Sequence, residues 1–412
     1  MCFTGCNPRN ASSDTANTPS GRWRVSANSV ADAPPDSADK EMMDQVLAMG
    51  YLQGSRNASS RTGVTIHDTD RAEAGLNLVM SGHKPGAAIM DMQGAVLHEW
   101  ALTFSEVWPN RPFVPDSPGQ QFWRRVHLYP DGSLLALFED YGLFKIDAAS
   151  RVLWTRPERY HHHLCVTQDG TIYTLERREV ERNEVSPLPL IWEDFVTRLT
   201  PGGEVIDSIS LLECVLNSPF APMLDRIDTT ERDIFHTNTI EVLDGKFSGL
   251  LPAFSAGRIL VSFSLINTIA VIDLEQRRVV WALSDLWRFQ HQPTMLENGN
   301  LLVFDNQGRT RQSRVLEISP ATQQIVWQYE GTPETPFFTL TCGSSQRLAN
   351  GNTLITESDE GRAIEVAPDG GIVWEYLNPH RAGEHNELVA TLFEVVRLPV
   401  DFPTPWMSTP AK

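Results

Sequence analysis

The feature that most constrains the fold of this chain is a short strand that recurs six times along the sequence. Each of these strands ends at an anchor residue, which is a tryptophan in five of the six. Counting Asp207 in the third repeat as an anchor, successive anchors lie 54, 53, 74, 46 and 47 residues apart. The other five anchors are Trp100, Trp154, Trp281, Trp327 and Trp374. Repeats of this length, each with room for four short strands, are typical of β-propellers. The pattern predicts an all-β fold, a six-bladed β-propeller, with the tryptophans packed between blades.

A second repeated element is a tight turn that precedes a strand in five places. The five runs read YPDGSLLALFE, TQDGTIYTLE, VLDGKFSG, LENGNLLVFDN and LANGNTLITES. Asp-Gly and Asn-Gly dipeptides beside β-branched or aromatic runs favour hairpins, because both residues tolerate positive φ. The longest interval between anchors contains an insertion around residues 211–233, which carries no functional signature. The run at 392–400 is expected to close or dock onto the propeller.

Composition places the six-bladed propeller at residues 62–400. Residues 1–61 are rich in Ser, Asn, Asp and Pro and predict a polar, largely disordered leader with one short helix at 39–52. Residues 401–412 are expected to form a C-terminal tail. The opening FTGC run resembles the end of a bacterial lipoprotein signal, with Cys6 as the acylated residue. We expect a periplasmic or lipoprotein-anchored protein if the true start lies upstream of Cys6, and a cytoplasmic protein otherwise.

Charge and cysteine content argue against several classes of function. The chain has 412 residues, a net charge of −18 and a pI near 5, which disfavours binding to nucleic acid. Its five cysteines show neither metal-finger spacing nor a disulfide framework. No apolar run is long enough to cross a bilayer. We therefore expect no nucleic-acid partner and no transmembrane segment.

Three histidines recur at nearly the same place in the repeat. His162 and His291 stand seven residues before the Asp or Asn of their turns, and His236 stands eight before. Arg124 stands seven before its own turn, and His163 directly follows His162. Equivalent positions on the innermost strands of a propeller converge at one end of the central channel. The register therefore predicts a polar funnel formed by three histidines and an arginine.

These phrases, taken in order, resemble the bacterial arylsulfotransferase family, whose enzymes do not use nucleotide sulfate donors. The resemblance spans most of residues 62–380 and rests on HHHLCVTQDGTIYTLE, HTNTIEV, QHQPTMLENGNLLVFDN and SSQRLANGNTLITESDEGRAIEV. It implies a six-bladed propeller and a ping-pong transfer of a sulfuryl group from a phenolic sulfate to a phenol through a sulfated histidine. The implied partners are a small-molecule aryl sulfate and a phenol, and no cofactor is implied.

The resemblance also implies roles for individual residues. His291, in QHQPTML, would be the nucleophile, while His236 and Asn238 would hold the sulfonate or bridging oxygens. His162 or His163 would act as an acid, a base or a sulfonate-binding partner. A neutral imidazole is a competent nucleophile near neutral pH. A phenol acceptor, with a reference pKa of about 10, gains from a neighbouring base.

One position departs from the family pattern. The family has an arginine in the strand after the HTN phrase, whereas this chain has Ser264 in VSFSLIN. Since a permanently charged, bidentate group is lost, Arg124 or Arg125 from another blade would have to replace it. Two alternatives therefore stay open. The protein would be a non-catalytic propeller that binds a ligand or a protein, or a metalloenzyme whose histidines bind zinc, iron or copper.

Two polar residues directly follow the strand LLVF. Asp305 and Asn306 are expected mainly to close a turn, with lining of the channel as the alternative.

Overall fold

A computed structural model of the protein describes residues 21–22, 54–308 and 312–408. The helix expected at 39–52 and the acylation candidate Cys6 lie outside these residues. Two short α-helices are present in the described ranges, α1 (Phe104–Val107) and α2 (Leu211–Leu216). Four 3-10 helices accompany them, at Pro118–Gln120, Ala221–Arg226, Pro252–Phe254 and Pro405–Ser408. None of these helices has the length and apolar character needed to cross a bilayer.

Short strands make up most of the described chain. The first fourteen are β1 (Arg56–Asn57), β2 (Gly63–His67), β3 (Leu76–Ser81), β4 (Gly86–Met90), β5 (Val96–Ala101), β6 (Arg125–Leu128), β7 (Leu134–Phe138), β8 (Gly142–Ile146), β9 (Val152–Arg156), β10 (Tyr160–Val166), β11 (Ile172–Val180), β12 (Ile191–Leu199), β13 (Val205–Ser210) and β14 (Thr237–Val242). The next fourteen are β15 (Ile259–Phe263), β16 (Thr268–Asp273), β17 (Arg278–Ser284), β18 (His291–Met295), β19 (Leu301–Asp305), β20 (Arg314–Ser319), β21 (Gln324–Glu330), β22 (Ser344–Arg347), β23 (Thr353–Glu357), β24 (Arg362–Val366), β25 (Ile372–Leu377), β26 (Arg381–Ala382), β27 (Leu388–Val389) and β28 (Leu392–Leu398).

The described strands form six antiparallel sheets of four or five strands and one small three-stranded sheet. Across the larger sheets the orders are β28-β3-β4-β5, β6-β7-β8-β9, β10-β11-β12-β13, β14-β15-β16-β17, β18-β19-β20-β21 and β22-β23-β24-β25-β2. The small sheet has the order β1-β27-β26. Apart from β28 and β2, the neighbours in each larger sheet are consecutive in sequence, which is the meander of a propeller blade. The predicted all-β propeller fold is confirmed.

The first strands of successive sheets lie side by side around one axis. Contacts run from β6 to β10, β14, β18, β22 and β28 in turn. Arg125 of β6 then contacts Glu394 of β28, with 2.5 Å between Nη1 and Oε1, and completes the ring. β28 itself pairs antiparallel with β3, so the C-terminal strand completes the first sheet. The run expected to close or dock onto the propeller at 392–400 has this role over Leu392–Leu398.

Three of the tryptophans at the ends of outer strands, Trp100, Trp281 and Trp374, are fully buried, as predicted for packing between blades, whereas Trp154 and Trp327 are only partly buried. Trp100 and Trp374 have no exposed surface. The indole Nε1 of Trp100 donates to the Gly132 carbonyl of the next sheet (3.2 Å), and that of Trp374 donates to the Met92 carbonyl (3.0 Å). A large apolar ring with one satisfied polar atom suits such an interface, because burial of the ring stabilises the packing of the sheets.

The described part of the expected C-terminal tail packs against the first two sheets. The Trp406 ring lies 5.4 Å from that of Trp100 and 5.1 Å from that of His98. Gly132, at a φ of 80°, faces the Trp406 ring, where a Cβ atom would clash. Glycine is therefore required in this turn both for its φ and for the close approach. The boundary between propeller and tail stays a prediction.

Candidate active site

A cavity of about 910 Å³ lies beside the first residues of three innermost strands. His162 of β10, His236 directly before β14 and His291 at the start of β18 all line it. The structure therefore brings together three of the predicted site residues, from three consecutive sheets. Their rings are largely buried, which makes their hydrogen-bond partners decisive for their protonation.

The other four predicted site residues do not line this cavity. Asn238 is buried, and its Nδ2 donates to a main-chain carbonyl before β18 (2.8 Å). Arg125 makes the ion pair with β28, and the Arg124 guanidinium lies 5.5 Å from the ring of Phe393. Both ring nitrogens of His163 are buried without a hydrogen-bond partner among the described residues. Burial and the two arginines hold the pKa of His163 well below its usual range.

The backbone is irregular where the histidines enter their strands. β10 and β18 both shift register beside their histidines. His162 has a φ of 54° and His236 a φ of 47°, a left-handed conformation that costs free energy for a residue with a side chain. Irregularities of this kind redirect a side chain out of the alternating strand pattern. They explain why these rings face the cavity.

The surroundings of His291 determine which ring nitrogen carries the proton. Its Nδ1 lies 2.8 Å from Asn306 Oδ1 and 3.0 Å from the Phe289 carbonyl oxygen. The Nδ2 of Asn306 donates to the carbonyls of Thr339 and Cys342, so the amide oxygen must be the acceptor towards His291. Nδ1 is therefore protonated, and Nε2 keeps its lone pair. Burial lowers the pKa of His291 to about 3, so the ring is neutral at neutral pH.

Three imidazoles form a chain between the carboxylates of Asp194 and Asp233. The contacts are Asp194 Oδ1 to His161 Nε2 (3.3 Å), His161 Nδ1 to His162 Nδ1 (2.7 Å), His162 Nε2 to His236 Nε2 (3.1 Å) and His236 Nδ1 to Asp233 Oδ2 (2.7 Å). The first contact is the longest, and it is an ion pair rather than an aligned hydrogen bond. We call these five residues the imidazole chain.

The number of protons on the imidazole chain depends on the contact between His161 and Asp194. Three neutral imidazoles carry three protons, enough for the three hydrogen-bonded contacts, and one additional proton would join His161 to Asp194 as well. The two terminal carboxylates, and Glu139 at 3.0 Å from His162 Nδ1, would balance the additional charge. Burial and the neighbouring His236 hold the pKa of His162 well below its usual range, which opposes a charge on this central ring.

Arg177 of β11 holds the carboxylates around this chain. Its guanidinium nitrogens lie 3.1 Å from Asp233 Oδ2, 3.5 Å from Asp140 Oδ2 and 3.8 Å from Asp194 Oδ1, and its side chain lines the cavity. Burial alone would raise the pKa values of Asp194 and Asp233. The facing histidines and Arg177 outweigh burial and hold both pKa values below the usual range. The two terminal carboxylates of the imidazole chain, Asp194 and Asp233, are therefore ionised.

Two residues that contact the histidines or their carboxylates, Glu139 and Arg177, escaped prediction, and Asn306 was expected mainly to close a turn, although one sequence signal marks all three. Glu139, Arg177 and Asn306 each stand seven residues after the turn glycine of their sheet, and Ser264 occupies the same place in another sheet. The turn glycines concerned are Gly132, Gly170, Gly299 and Gly257. Asn306 thus does more than close a turn, because it orients His291. Ser264 lines the cavity, and Arg177 is its equivalent in the preceding sheet.

In the described ranges, one group of histidine and carboxylate side chains has ligand atoms that all lie within 4.8 Å of one another. It comprises Glu139, His161 and His162. Two of these residues belong to the imidazole chain, so a metal ion there would have to displace the protons that join the rings.

The fold and the cavity together define a β-propeller with an internal pocket lined by histidines. The sequence model of the family described as arylsulfotransferase (ASST) matches residues 125–379, more than half of the chain. The protein therefore belongs to the arylsulfotransferase family, and the resemblance noted from the sequence is confirmed. The matched range contains all three cavity histidines and Arg177. A search of curated protein sequences finds no match.

Comparison with solved structures finds matches at low sequence identity and with TM-scores below 0.5. A protein of unknown function from Bacteroides caccae is 15% identical, with 74% of this chain and 94% of that chain covered and a TM-score of 0.49. Streptogramin B lyase is 12% identical, with 85% and 97% covered and a TM-score of 0.43. The Dos1 propeller is 11% identical, with 80% and 76% covered and a TM-score of 0.40.

Proposed function

We propose that the protein transfers a sulfuryl group from a phenolic sulfate to a phenol, with His291 Nε2 as the nucleophile. The observation that best supports this role is the orientation of His291. Asn306 and the Phe289 carbonyl hold the ring proton on Nδ1, so the lone pair on Nε2 is available in a buried, neutral ring. Family membership supports an arylsulfotransferase-like enzyme in general, and the sulfohistidine route is our proposal for its mechanism.

In the first half-reaction, Nε2 of His291 attacks the sulfur of the donor. The N–S bond forms as the S–O bond to the phenolic oxygen breaks, and the leaving oxygen takes the additional proton of the imidazole chain. His162 and His236 are the two histidines of the chain that line the cavity, so the proton leaves from the contact between their Nε2 atoms. A phenol departs, and the three rings of the chain are neutral.

The second half-reaction returns the enzyme to its first state. The oxygen of the acceptor phenol attacks the sulfur on His291, the S–O bond forms, and the N–S bond breaks. The phenolic proton passes to the imidazole chain, which regains its additional proton. One proton therefore serves both half-reactions, and none is exchanged with solvent over the cycle.

Arg177 and Ser264 are our candidates for binding the sulfuryl oxygens. The sulfuryl group carries negative charge on three oxygens, which calls for a fixed cation and hydrogen-bond donors. Arg177 lines the cavity and occupies, one sheet earlier, the repeat position of Ser264, where the family has its arginine. Arg124 and Arg125 are poorer candidates because neither lines the cavity.

Mass spectrometry of the intact protein after brief exposure to an aryl sulfate tests the proposal. We expect a transient adduct of one SO3 group in the wild type, located on the peptide that contains His291. The adduct should be lost in His291→Ala and retained in His385→Ala, which changes an exposed histidine outside the cavity. Absence of an adduct and of phenol release across several donors would contradict the proposal and favour a non-catalytic binding propeller.

The metalloenzyme alternative rests on the group formed by Glu139, His161 and His162. Metal analysis of the purified protein and assays after chelation separate it from our proposal. We expect unchanged phenol release after chelation, because the proposed steps use imidazole nitrogens and protons only. A stoichiometric bound metal whose removal abolishes activity would favour the metalloenzyme.

A further inference from the structure

The rim of the cavity is built around the indole of Trp192, at the start of β12. Three guanidinium groups approach this ring, with Cζ to centroid distances of 4.5 Å for Arg177, 5.4 Å for Arg232 and 5.6 Å for Arg159. All four residues line the same cavity as the histidines. A tryptophan face is the best aromatic partner for a cation, so the indole keeps these guanidinium groups close together.

The insertion around 211–233, which had no signature in the sequence, ends at this rim. Its residue Arg232 accepts a hydrogen bond at its carbonyl from the Trp192 main-chain N–H (2.7 Å), and Asp233 forms a β-bridge with Trp192. The insertion is thereby fixed along the edge of β12. One of its residues, Asp233, holds His236, and the adjacent Arg232 belongs to the rim, so the insertion connects the two parts of the cavity.

The two outer arginines share one carboxylate. Glu179 lies 2.7 Å from Arg232 and 3.8 Å from Arg159, and it also accepts from the indole N–H of Trp192 (3.4 Å). The side chains of Arg159 and Arg232 are 40% and 46% exposed. Arg232 Nε also donates to the Leu190 carbonyl (3.4 Å), and since each guanidinium has five N–H donors, both arginines keep donors for a ligand. Arg177 is different, because it is buried against the carboxylates of the imidazole chain.

Charged side chains of both signs line the cavity. Four arginines and four carboxylates are among its lining residues: Arg111, Arg159, Arg177, Arg232, Glu139, Asp140, Glu231 and Asp233. Arg177 lies against the carboxylates that hold the histidines, and Arg111 Nη1 donates to the Tyr141 carbonyl (2.5 Å). The rim thus presents two partly exposed arginines, Arg159 and Arg232, on a protein whose net charge of −18 otherwise repels anions.

Cavity size indicates a substrate larger than a single phenyl ring. A volume of about 910 Å³ is near the upper end of the range for pockets that bind drug-sized ligands, roughly 300–1,000 Å³. Arg177 contacts both Asp233, which holds His236, and the Trp192 ring. Arg177 therefore connects the rim to the carboxylate that holds His236. An aromatic ligand with its reacting ester at the histidines would present its far end to Arg159 and Arg232.

We propose that Trp192, Arg159 and Arg232 bind a second anionic group of the substrate, so that the preferred ligands are aromatic dianions. The substrate class would be an aryl sulfate that carries a carboxylate or a second sulfate at the opposite end of its ring system. This inference rests on the proposed function for the identity of the reacting group. Charge-assisted hydrogen bonds from two planar guanidinium groups suit either anion.

Calorimetric binding of two unreactive sulfonates tests this assignment without turnover. Naphthalene-2-sulfonate and naphthalene-2,6-disulfonate share one ring system and differ in the second anion. We expect the wild type to bind the disulfonate about tenfold more tightly, as one or two charge-assisted hydrogen bonds would give. The double variant Arg159→Gln, Arg232→Gln should bind both with similar affinity. Glu179→Gln should increase the preference, because it releases both arginines from their shared partner.

Arg151→Gln is the matched control, since Arg151 is an arginine with 80% side-chain exposure that pairs with Asp147 away from the cavity. It should keep the preference of the wild type. Both rim arginines are partly exposed, so their variants should fold, which thermal unfolding will verify. Equal binding of the two sulfonates by the wild type, or an unchanged preference in the double variant, would overturn the proposal.

The outcome is separable from that of the proposed function. A preference for the disulfonate without any adduct on His291 would support the rim and contradict sulfuryl transfer. An adduct on His291 without that preference would support transfer and contradict the rim as a dianion site.

Discussion

The Nε2 atoms of His162 and His236 lie 3.1 Å apart, although the two residues belong to different sheets and are 74 positions apart in sequence. The opposite nitrogen of each ring contacts a carboxylate, at 3.0 Å from Glu139 and 2.7 Å from Asp233. Two ring nitrogens at this distance attract each other only with a proton between them. The contact is therefore where we expect a proton inside the cavity.

Substitution of His236 should make the reaction sensitive to the leaving group. We expect His236→Gln to slow phenol release from phenyl sulfate by about 10³-fold, since loss of a general acid typically costs 10²- to 10⁴-fold. With 4-nitrophenyl sulfate the loss should be much smaller, because its phenolate is a stable leaving group without a proton. The measurement is the rate of phenol release from each donor. Equal losses for both donors would contradict the proton-transfer role.

Removal of the partner of His291 should weaken nucleophilic attack without removing the nucleophile. Asn306→Ala deletes an acceptor of the Nδ1 proton and removes the amide donor to the Thr339 and Cys342 carbonyls, of which the Thr339 carbonyl still accepts from the Ser313 hydroxyl (3.2 Å). We expect adduct formation to slow by about 10- to 100-fold, as for other residues that orient a functional histidine. Stability should fall by about 1–3 kcal/mol. Asn183→Ala, at an exposed position, should leave both rate and stability unchanged.

The neutral state of His291 should make stability depend on pH. Its pKa is about 3 in the folded protein and 6.5 as a reference value, so the unfolded chain binds more protons between these values. Folding stability should therefore fall as the pH decreases below 6.5, by at most about 1.4 kcal/mol per pH unit from this group. Urea unfolding at pH 7 and pH 5.5 should show a larger loss for the wild type than for His291→Gln. The same loss in both proteins would contradict the assignment.

Arg177 should be essential for folding as well as for the site. Arg177→Gln leaves two buried carboxylates, Asp194 and Asp233, and the partly exposed Asp140 without their common cation, which we expect to cost about 3–5 kcal/mol. Arg177→Lys should fold better but reduce kcat/KM, because an ammonium group cannot replace the planar fork. Arg178→Gln, one residue along β11 and 41% exposed in its side chain, should cost about 1 kcal/mol or less. Thermal unfolding measures the loss of stability in each variant. Similar losses of stability for Arg177→Gln and Arg178→Gln would contradict the role of Arg177.

Local signals explain why the fold could be predicted. Asp-Gly and Asn-Gly turns, β-branched runs and tryptophans at strand ends act over a few residues, and their regular spacing implies a closed repeat. The repeat also explains why His162, His236 and His291 could be expected to converge, since equivalent positions are related by rotation about the channel. The same position in the repeat also predicted that Arg124 would belong to the polar funnel. In the structure its side chain packs beside Phe393 instead of lining the cavity.

The sequence by itself determined the propeller architecture, the packing of tryptophans between sheets and the three histidines of the cavity, because these follow from periodicity and local turn chemistry. Only the tertiary structure decided how the histidines are protonated. The left-handed backbone at His162 and His236 redirects both rings, Asp194 and Arg177 reach them from other strands, and Asp233 reaches His236 from the end of the insertion. Which nitrogen faces which partner depends on these long-range contacts, and repeat spacing carries no information about them.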